Sequence, residues 1–368
     1  MLRIATEWLV SSNAMFVRSI SIGASLAAVV LMPAACSSFS SDNAPAAGAS
    51  EGGAADEAGS GAEGGVATTD GPATEGSRST TPVELSSGYG NLRAITASET
   101  DVFFVDQANG GGVFSVPIIG GSRTVLSTSG APSSIAVLGN YVYWTDPTTR
   151  TVVRMPVGGG TPNATTPEPG ADPPPTIVVT ATNEVVTLIG SNSAKAGRID
   201  RYAVDLPPSP MAIISGITNP FSIAAFGSSF YWTEGGQGFV ATVDVATASR
   251  KALFQEGDPE GIAADAAGVY WTVPSQGTIR GSLDGKSAIT LASGQNVPRS
   301  IAGDGSYVYW TTLDNELRRA GHIDGGTSSV FASGFMAISE MHVRGVAVTS
   351  KYVVWLTADG KVLRLDSK

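Results

Sequence analysis

Cysteine and histidine are nearly absent from this sequence: among 368 residues there is one of the former, Cys36, and two of the latter, His322 and His342. A lone cysteine excludes an intrachain disulfide and a cysteine-based zinc site. Two histidines leave few side chains for metal ligation or for proton transfer near neutral pH. Charge is also sparse, at 15% of residues, and basic residues are the scarcer kind, with 22 Lys and Arg against 32 Asp and Glu. The resulting net charge of −10 argues against nucleic acid as a partner, because a phosphate backbone wants a basic face. The apolar run at 20–32 is too short for the ~20 residues of a membrane-spanning helix. No phosphate-binding glycine loop, dinucleotide fingerprint, HExxH or paired-carboxylate pattern stands out. No catalytic residue, metal site or cofactor is therefore indicated.

What is present begins with an export pattern. Arg18 precedes the apolar run, and Pro33-Ala34-Ala35-Cys36 follows it. Basic, apolar and small residues in that order mark a secretory signal over 1–36, with Met15 as an alternative start. The Ala34-Ala35-Cys36 ending resembles the lipobox of bacterial lipoproteins, with Pro33 where that family usually carries Leu. The resemblance implies lipidation of Cys36 as the mature N-terminus, and Ser37 after it implies sorting to the outer membrane. Ordinary signal cleavage, giving a secreted or periplasmic soluble protein, is the alternative.

Residues 37–81 carry seven acidic residues against Arg78, a net of −6, among Gly, Ala, Ser and Thr. Such a stretch buries too little apolar surface to offset its ordering entropy. A disordered tether is the expectation. Gly48-Ala49-Ser50-Glu51-Gly52 formally matches a hydrolase nucleophile elbow. That motif needs a strand before it and a helix after it, and this composition supplies neither.

From residue 82 onward one phrase recurs. Tyr141-Val142-Tyr143-Trp144-Thr145-Asp146 is echoed at 229–234, 268–272, 307–311 and 352–357, with weaker copies at 101–106 and 184–188. Taking Trp144 and its equivalents as markers gives positions 104, 144, 187, 232, 271, 310 and 355, a spacing of roughly 40 residues that suits propeller blades. Between 261 and 294 a unit reads as four short strands at 261–265, 268–272, 277–283 and 287–292, bounded by Gly, Pro, Asn and Asp. Four antiparallel strands per repeat is a blade. The last repeat supplies three, at 343–348, 352–356 and 361–365. Its missing strand is expected at 82–88, whose Pro82-Val83-Glu84-Leu85-Ser86-Ser87-Gly88 matches Arg123-Thr124-Val125-Leu126-Ser127-Thr128-Ser129-Gly130. The expectation is an all-β, seven-bladed β-propeller over 82–368 whose N-terminal strand closes the ring and hides its edges. Six blades is the alternative. The repeated aromatics are expected to pack blade against blade.

The Tyr-Trp-Thr-Asp quartet at 143–146, with Leu283-Asp284-Gly285 and Ile323-Asp324-Gly325, resembles the YWTD (low-density-lipoprotein-receptor class B) repeats and the related NHL-type propellers. The resemblance covers about 82–368. It implies an extracytoplasmic or scaffold binding module, which in bacteria often sits on a lipoprotein. The departures are the blade number, six in the YWTD receptors, and the terminal Asp, kept at Asp106 and Asp146 and replaced by Glu234, Val273 and Thr312.

Functional residues are sought on the loops around the channel. Aligning Ile95, Ile135, Ile177, Ile223, Ile262, Ile301 and Val346 and stepping back two positions gives Arg93, Ser133, Pro175, Phe221, Glu260, Arg299 and Arg344. The three arginines fall in consecutive blades of a closed ring. Guanidinium groups converging on a channel mouth suit a carboxylate or phosphate, so Arg93, Arg299, Arg344 and Glu260 are the candidate ligand-binding residues. The plain alternative is pairing of each arginine with Glu260, Glu340 or Asp314. His322 is expected as an exposed turn residue, and His342 as a neighbour of the mouth cluster.

The expected role is an exported, lipid-anchored binding or scaffold module. It would be a monomer that meets a membrane only through its anchor and recognises a protein, glycan or small anion on one propeller face. The alternative is a propeller enzyme of lyase or lactonase type. Such a site would need several His, Asp or Glu on the innermost strands, which here are mostly Ala, Val, Ile and Ser.

Overall fold

The computed structural model describes residues 81–108, 111–165, 176–180, 184–190, 197–203, 210–235, 238–244, 247–322, 327–341 and 343–366. The signal, the tether, Cys36, Pro175 and His342 lie outside them. The described strands form seven four-stranded antiparallel sheets arranged as a β-propeller. The expectation of seven blades holds, and the six-blade alternative is corrected by the count. No described helix is long and apolar enough to cross a membrane.

Each blade is built around the recurring phrase as its second strand. These are β3 (Asp101–Asp106), β7 (Tyr141–Asp146), β11 (Glu184–Ile189), β15 (Ser229–Glu234), β19 (Val269–Val273), β23 (Tyr307–Thr312) and β27 (Tyr352–Leu356). Val269–Val273 is buried at every position. A strand sandwiched between two neighbouring sheets has no solvent face, which is why these segments read as continuous large residues rather than as an alternation. Blades one to six follow in chain order from β2 (Leu92–Ala97), β6 (Ser134–Leu138), β10 (Thr176–Val179), β14 (Pro220–Phe226), β18 (Ile262–Ala264) and β22 (Ile301–Gly303) as innermost strands.

Blade seven contains β26 (Val346–Val348), β27, β28 (Lys361–Asp366) and, as its outer strand, β1 (Val83–Ser87). Val83 pairs with Arg364 and Ser87 with Lys361, with an irregularity between Glu84 and Ser86. Tyr89 N–H then donates to the Gly360 carbonyl at 3.2 Å. Gly360 has φ +75°, and a Cβ there would run into the Tyr89 carbonyl, so the closure needs glycine. The innermost strand of this blade is shorter than the expected 343–348. Arg344 instead bridges to Ala94 of blade one in parallel register, its N–H donating to the Arg93 carbonyl at 3.1 Å and its carbonyl accepting from Ile95 N–H at 3.0 Å.

The apolar core is divided among the blade interfaces. Trp232 packs with Val186, Leu188 and Ile199 of blade three. Trp271 packs with Ala224 and Val240 of blade four, Trp310 with Tyr270 and Ile279 of blade five, and Trp355 with Leu317 and Phe331 of blade six. These four tryptophans are fully buried. Truncating one would remove the apolar contact that docks its blade on the next, and large-to-Ala changes at such sites cost about 3–5 kcal/mol.

Candidate functional site

The same second strands position the channel mouth. Thr233 Oγ1 donates to the Glu260 carbonyl of blade five at 2.6 Å and accepts from its own blade's Ser222 N–H at 3.2 Å. One blade on, Thr272 Oγ1 donates to the Arg299 carbonyl at 3.2 Å and accepts from Gly261 N–H at 2.9 Å. Between blades six and seven Ser300 takes this part, donating to the Val343 carbonyl at 2.8 Å and accepting from Gly345 N–H at 2.9 Å. The hydroxyl of the Trp-Thr pair is thus a two-way clasp. It satisfies buried backbone groups and sets Glu260 and Arg299 at the rim. Sequence reading assigned the motif to packing and missed this second duty.

Two of the three arginines meet carboxylates. Arg299 Nη1 lies 2.5 Å from Glu260 Oε2, with both side chains largely buried. Arg93 pairs with Glu340, whose side chain is 57% exposed. Burial pulls the Arg93 guanidinium below its ordinary value. Asp314 takes neither and accepts from Asn296 Nδ2 at 2.7 Å.

Arg344 differs. Its side chain leaves blade seven and crosses the channel to the opposite wall. There Nη1 donates to the Ile177 carbonyl of blade three at 3.0 Å, and Nη2 donates to the Ile223 carbonyl and, at 3.5 Å, to Ser222 Oγ of blade four. No carboxylate among the described residues lies within ion-pair distance of it. Burial lowers its pKa to about 10, which leaves it charged at neutral pH.

This crossbar separates two spaces. On the mouth side is a small cavity of about 30 Å³ bordered by Phe221, Glu260, Arg299 and Glu340. On the other side the channel widens to about 290 Å³. Ser222, Gly261, Val343 and Arg344 border both spaces. The wider space is bordered by one β-branched residue from each blade, Ile95, Ile135, Ile177, Ile223, Ile262, Ile301 and Val346, of which Ile177 and Ile223 are fully buried, their side chains packing in the cores between blades rather than facing the channel. Arg344 is the sole charged residue on that wall among the described residues.

His322 departs from expectation. It is 5% exposed, stacked on Tyr270 with ring centroids 4.9 Å apart, and its Nε2 lies 3.5 Å from Asp265 Oδ2. It packs between blades five and six because the end of β24 (Glu316–Gly321) carries it under the neighbouring blade. Among the described residues no group of three or more His, Cys, Asp or Glu could hold a metal ion.

No protein-family model and no curated protein sequence matches the chain. Solved structures do. Virginiamycin B lyase from Staphylococcus aureus superposes with a TM-score of 0.62 at 13% identity, over 78% of this chain and 99% of that one. U3-55K gives a TM-score of 0.63 at 10% identity over 78% and 99%. The WD40 β-propeller domain of Doa1 gives 0.59 at 11% over 78% and 96%. The shared property is the propeller. At such identities the likeness is one of fold alone, and fold does not carry function.

Proposed function

We propose that this chain is an exported binding module, lipid-anchored through Cys36, whose propeller recognises a ligand bearing a carboxylate or similar single negative charge at Arg344. The observation that carries the reading is the electrostatic difference within the mouth. Arg93 and Arg299 are neutralised by Glu340 and Glu260, whereas Arg344 is held in the channel by carbonyl and hydroxyl oxygens alone. A cation fixed by these hydrogen bonds, with its geometry already set, attracts an anion at little cost in reorganisation. The range of propeller neighbours, from a lyase to WD40 domains, is compatible with a binding role and names no ligand.

Isothermal titration of the chain with acetate, oxalate and inorganic phosphate tests the reading. Saturable binding of at least one anion, weakened tenfold or more in Arg344→Met, is expected. Absence of anion binding would overturn it and turn attention to a macromolecular partner. The anchor is tested by labelling cells with a radioactive fatty acid. The chain should carry label and Cys36→Ser should not; a label-free native chain would favour ordinary signal cleavage.

A further inference from the structure

Each innermost strand pairs within its sheet only with the second strand of its own blade, so its other edge is turned to the channel. The register says which backbone groups that edge offers. Thr180, Asp265 and Asp304 donate their N–H groups to the start of the second strand in blades three, five and six. Backbone groups alternate in direction along an antiparallel pair. The N–H and C=O of the preceding residues, Val179, Ala264 and Gly303, therefore turn to the channel, and all three residues border its wider space. They have no protein partner among the described residues. Ile177, two residues before Val179, faces the same way, and its carbonyl is the one that accepts from Arg344. Such an edge already takes a partner in blade one, where Ile95 N–H donates to the Arg344 carbonyl at 3.0 Å. Beside these edges, Arg344 Nε has no acceptor among the described residues.

From this arrangement we infer that the channel takes the C-terminal end of an extended peptide with small side chains, its carboxylate on Arg344 and its backbone along the free inner edges. The inference rests on the proposed recognition of an anion by Arg344 and adds the chemistry of the rest of the ligand. The innermost strands run from the mouth to the face of the hairpins that join first and second strands. A peptide that enters from that hairpin face and ends on Arg344 runs the other way. It is thus antiparallel to every innermost strand, which is the more stable pairing. The edges present N–H and C=O groups at every second residue, and an extended peptide repeats its own acceptors and donors at the same interval. A hydrocarbon chain would leave those groups without partners, which is costly. The space of about 290 Å³ compares with ~150 Å³ for a cavity that holds benzene, so it has room for about two small residues. The remainder of the peptide would emerge at the hairpin face.

The test is calorimetric titration of the full chain with trialanine, trialanine amide, trisarcosine, triphenylalanine and acetate. Trialanine should bind about tenfold or more tightly than its amide, which lacks the carboxylate, because a hydrogen bond to a charged group is lost. Trisarcosine keeps the carboxylate but has no amide N–H, and it should fall to the affinity of acetate. Triphenylalanine should bind more weakly than trialanine, since its rings exceed the space. Arg344→Met should bring trialanine and its amide to the same affinity. The ligand comparisons on the native chain decide the matter even if Arg344→Met fails to fold. Trialanine carried at the C-terminus of a folded protein separates the two sources of such an end. Binding equal to that of the free peptide would extend the site to protein tails, and binding of the free peptide alone would restrict it to short peptides. Equal affinities for trialanine, trisarcosine and acetate would overturn the inference and leave anion recognition standing. Equal affinities for trialanine and its amide would overturn the inference as well. No binding of any carboxylate would overturn both readings.

Discussion

Arg299 and Arg344 stand at equivalent places in consecutive repeats and end in opposite surroundings. The first is tied to Glu260 at the rim. The second spans the channel and is held by the carbonyls of Ile177 and Ile223. The difference comes from what the neighbouring repeat offers. The residue two positions before Ile262 in blade five is Glu260, so Arg299 finds a carboxylate one blade away. The corresponding residue of blade six is Arg299 itself, so Arg344 meets a like charge there and extends instead toward carbonyls on the far wall. A repeat protein can thus turn one aligned position into a structural ion pair in one blade and an available cation in the next.

Three measurements would break or sharpen this contrast. The largest effect is expected at Glu260. Glu260→Gln leaves the largely buried Arg299 without its carboxylate, and Arg299 Nε already lacks an acceptor. Denaturant unfolding should report a loss of about 3 kcal/mol, the lower end of what breaking a buried pair costs. A loss no greater than that of a surface pair would show the rim to be solvated and the contrast to be false.

Alkaline unfolding gives the next effect. Burial raises the phenols of Tyr202, to about 12, and of Tyr270 and Tyr309 further. Above pH 10, the ordinary tyrosine value, the unfolded chain releases these protons while the folded chain keeps them, so stability falls as pH rises toward and past 12. Arg344 has the opposite sign. Its folded pKa of about 10 lies below the ordinary 12.5, so across that interval the unfolded chain holds the extra proton and stability gains with pH. Native protein should therefore lose stability above pH 10, and Arg344→Met should steepen the loss. Tyr309→Phe should flatten it. An unchanged slope in Arg344→Met would mean that the channel cation is solvated.

The smallest effect belongs to Glu340→Gln. Its partner Arg93 is partly accessible and Glu340 is mostly exposed, so the change in stability should stay under about 1 kcal/mol and shrink with added salt. A loss matching that of Glu260→Gln would make the two rim pairs equivalent.

Much of the fold was legible from the chain. The aromatic phrase near every fortieth residue, the four short strands per unit and the orphan strand at 82–88 led to seven blades and to the closure between Val83–Ser87 and Lys361–Asp366. Strand ends were less legible. The stretch 343–348 reads as one strand, but pairing with blade one takes Arg344 out of it. At the candidate site the offset from the innermost strands located the arginines, and pairing with Glu260 and Glu340 was among the readings. The exposed setting expected for His322 was wrong, because a turn-like neighbourhood in sequence says nothing about which blade covers it.

By itself, then, the sequence determined the repeat, the blade number and the seam. These depend on local pattern and on a period carried along the backbone. Only the tertiary structure decided the fate of Arg344 and His322. Their partners lie in other blades, and for Arg344 the accepting carbonyls are 121 and 167 residues away. No local rule relates positions so far apart. They meet because closing a seven-membered ring brings blade seven face to face with blades three and four across a channel narrow enough for one side chain to span.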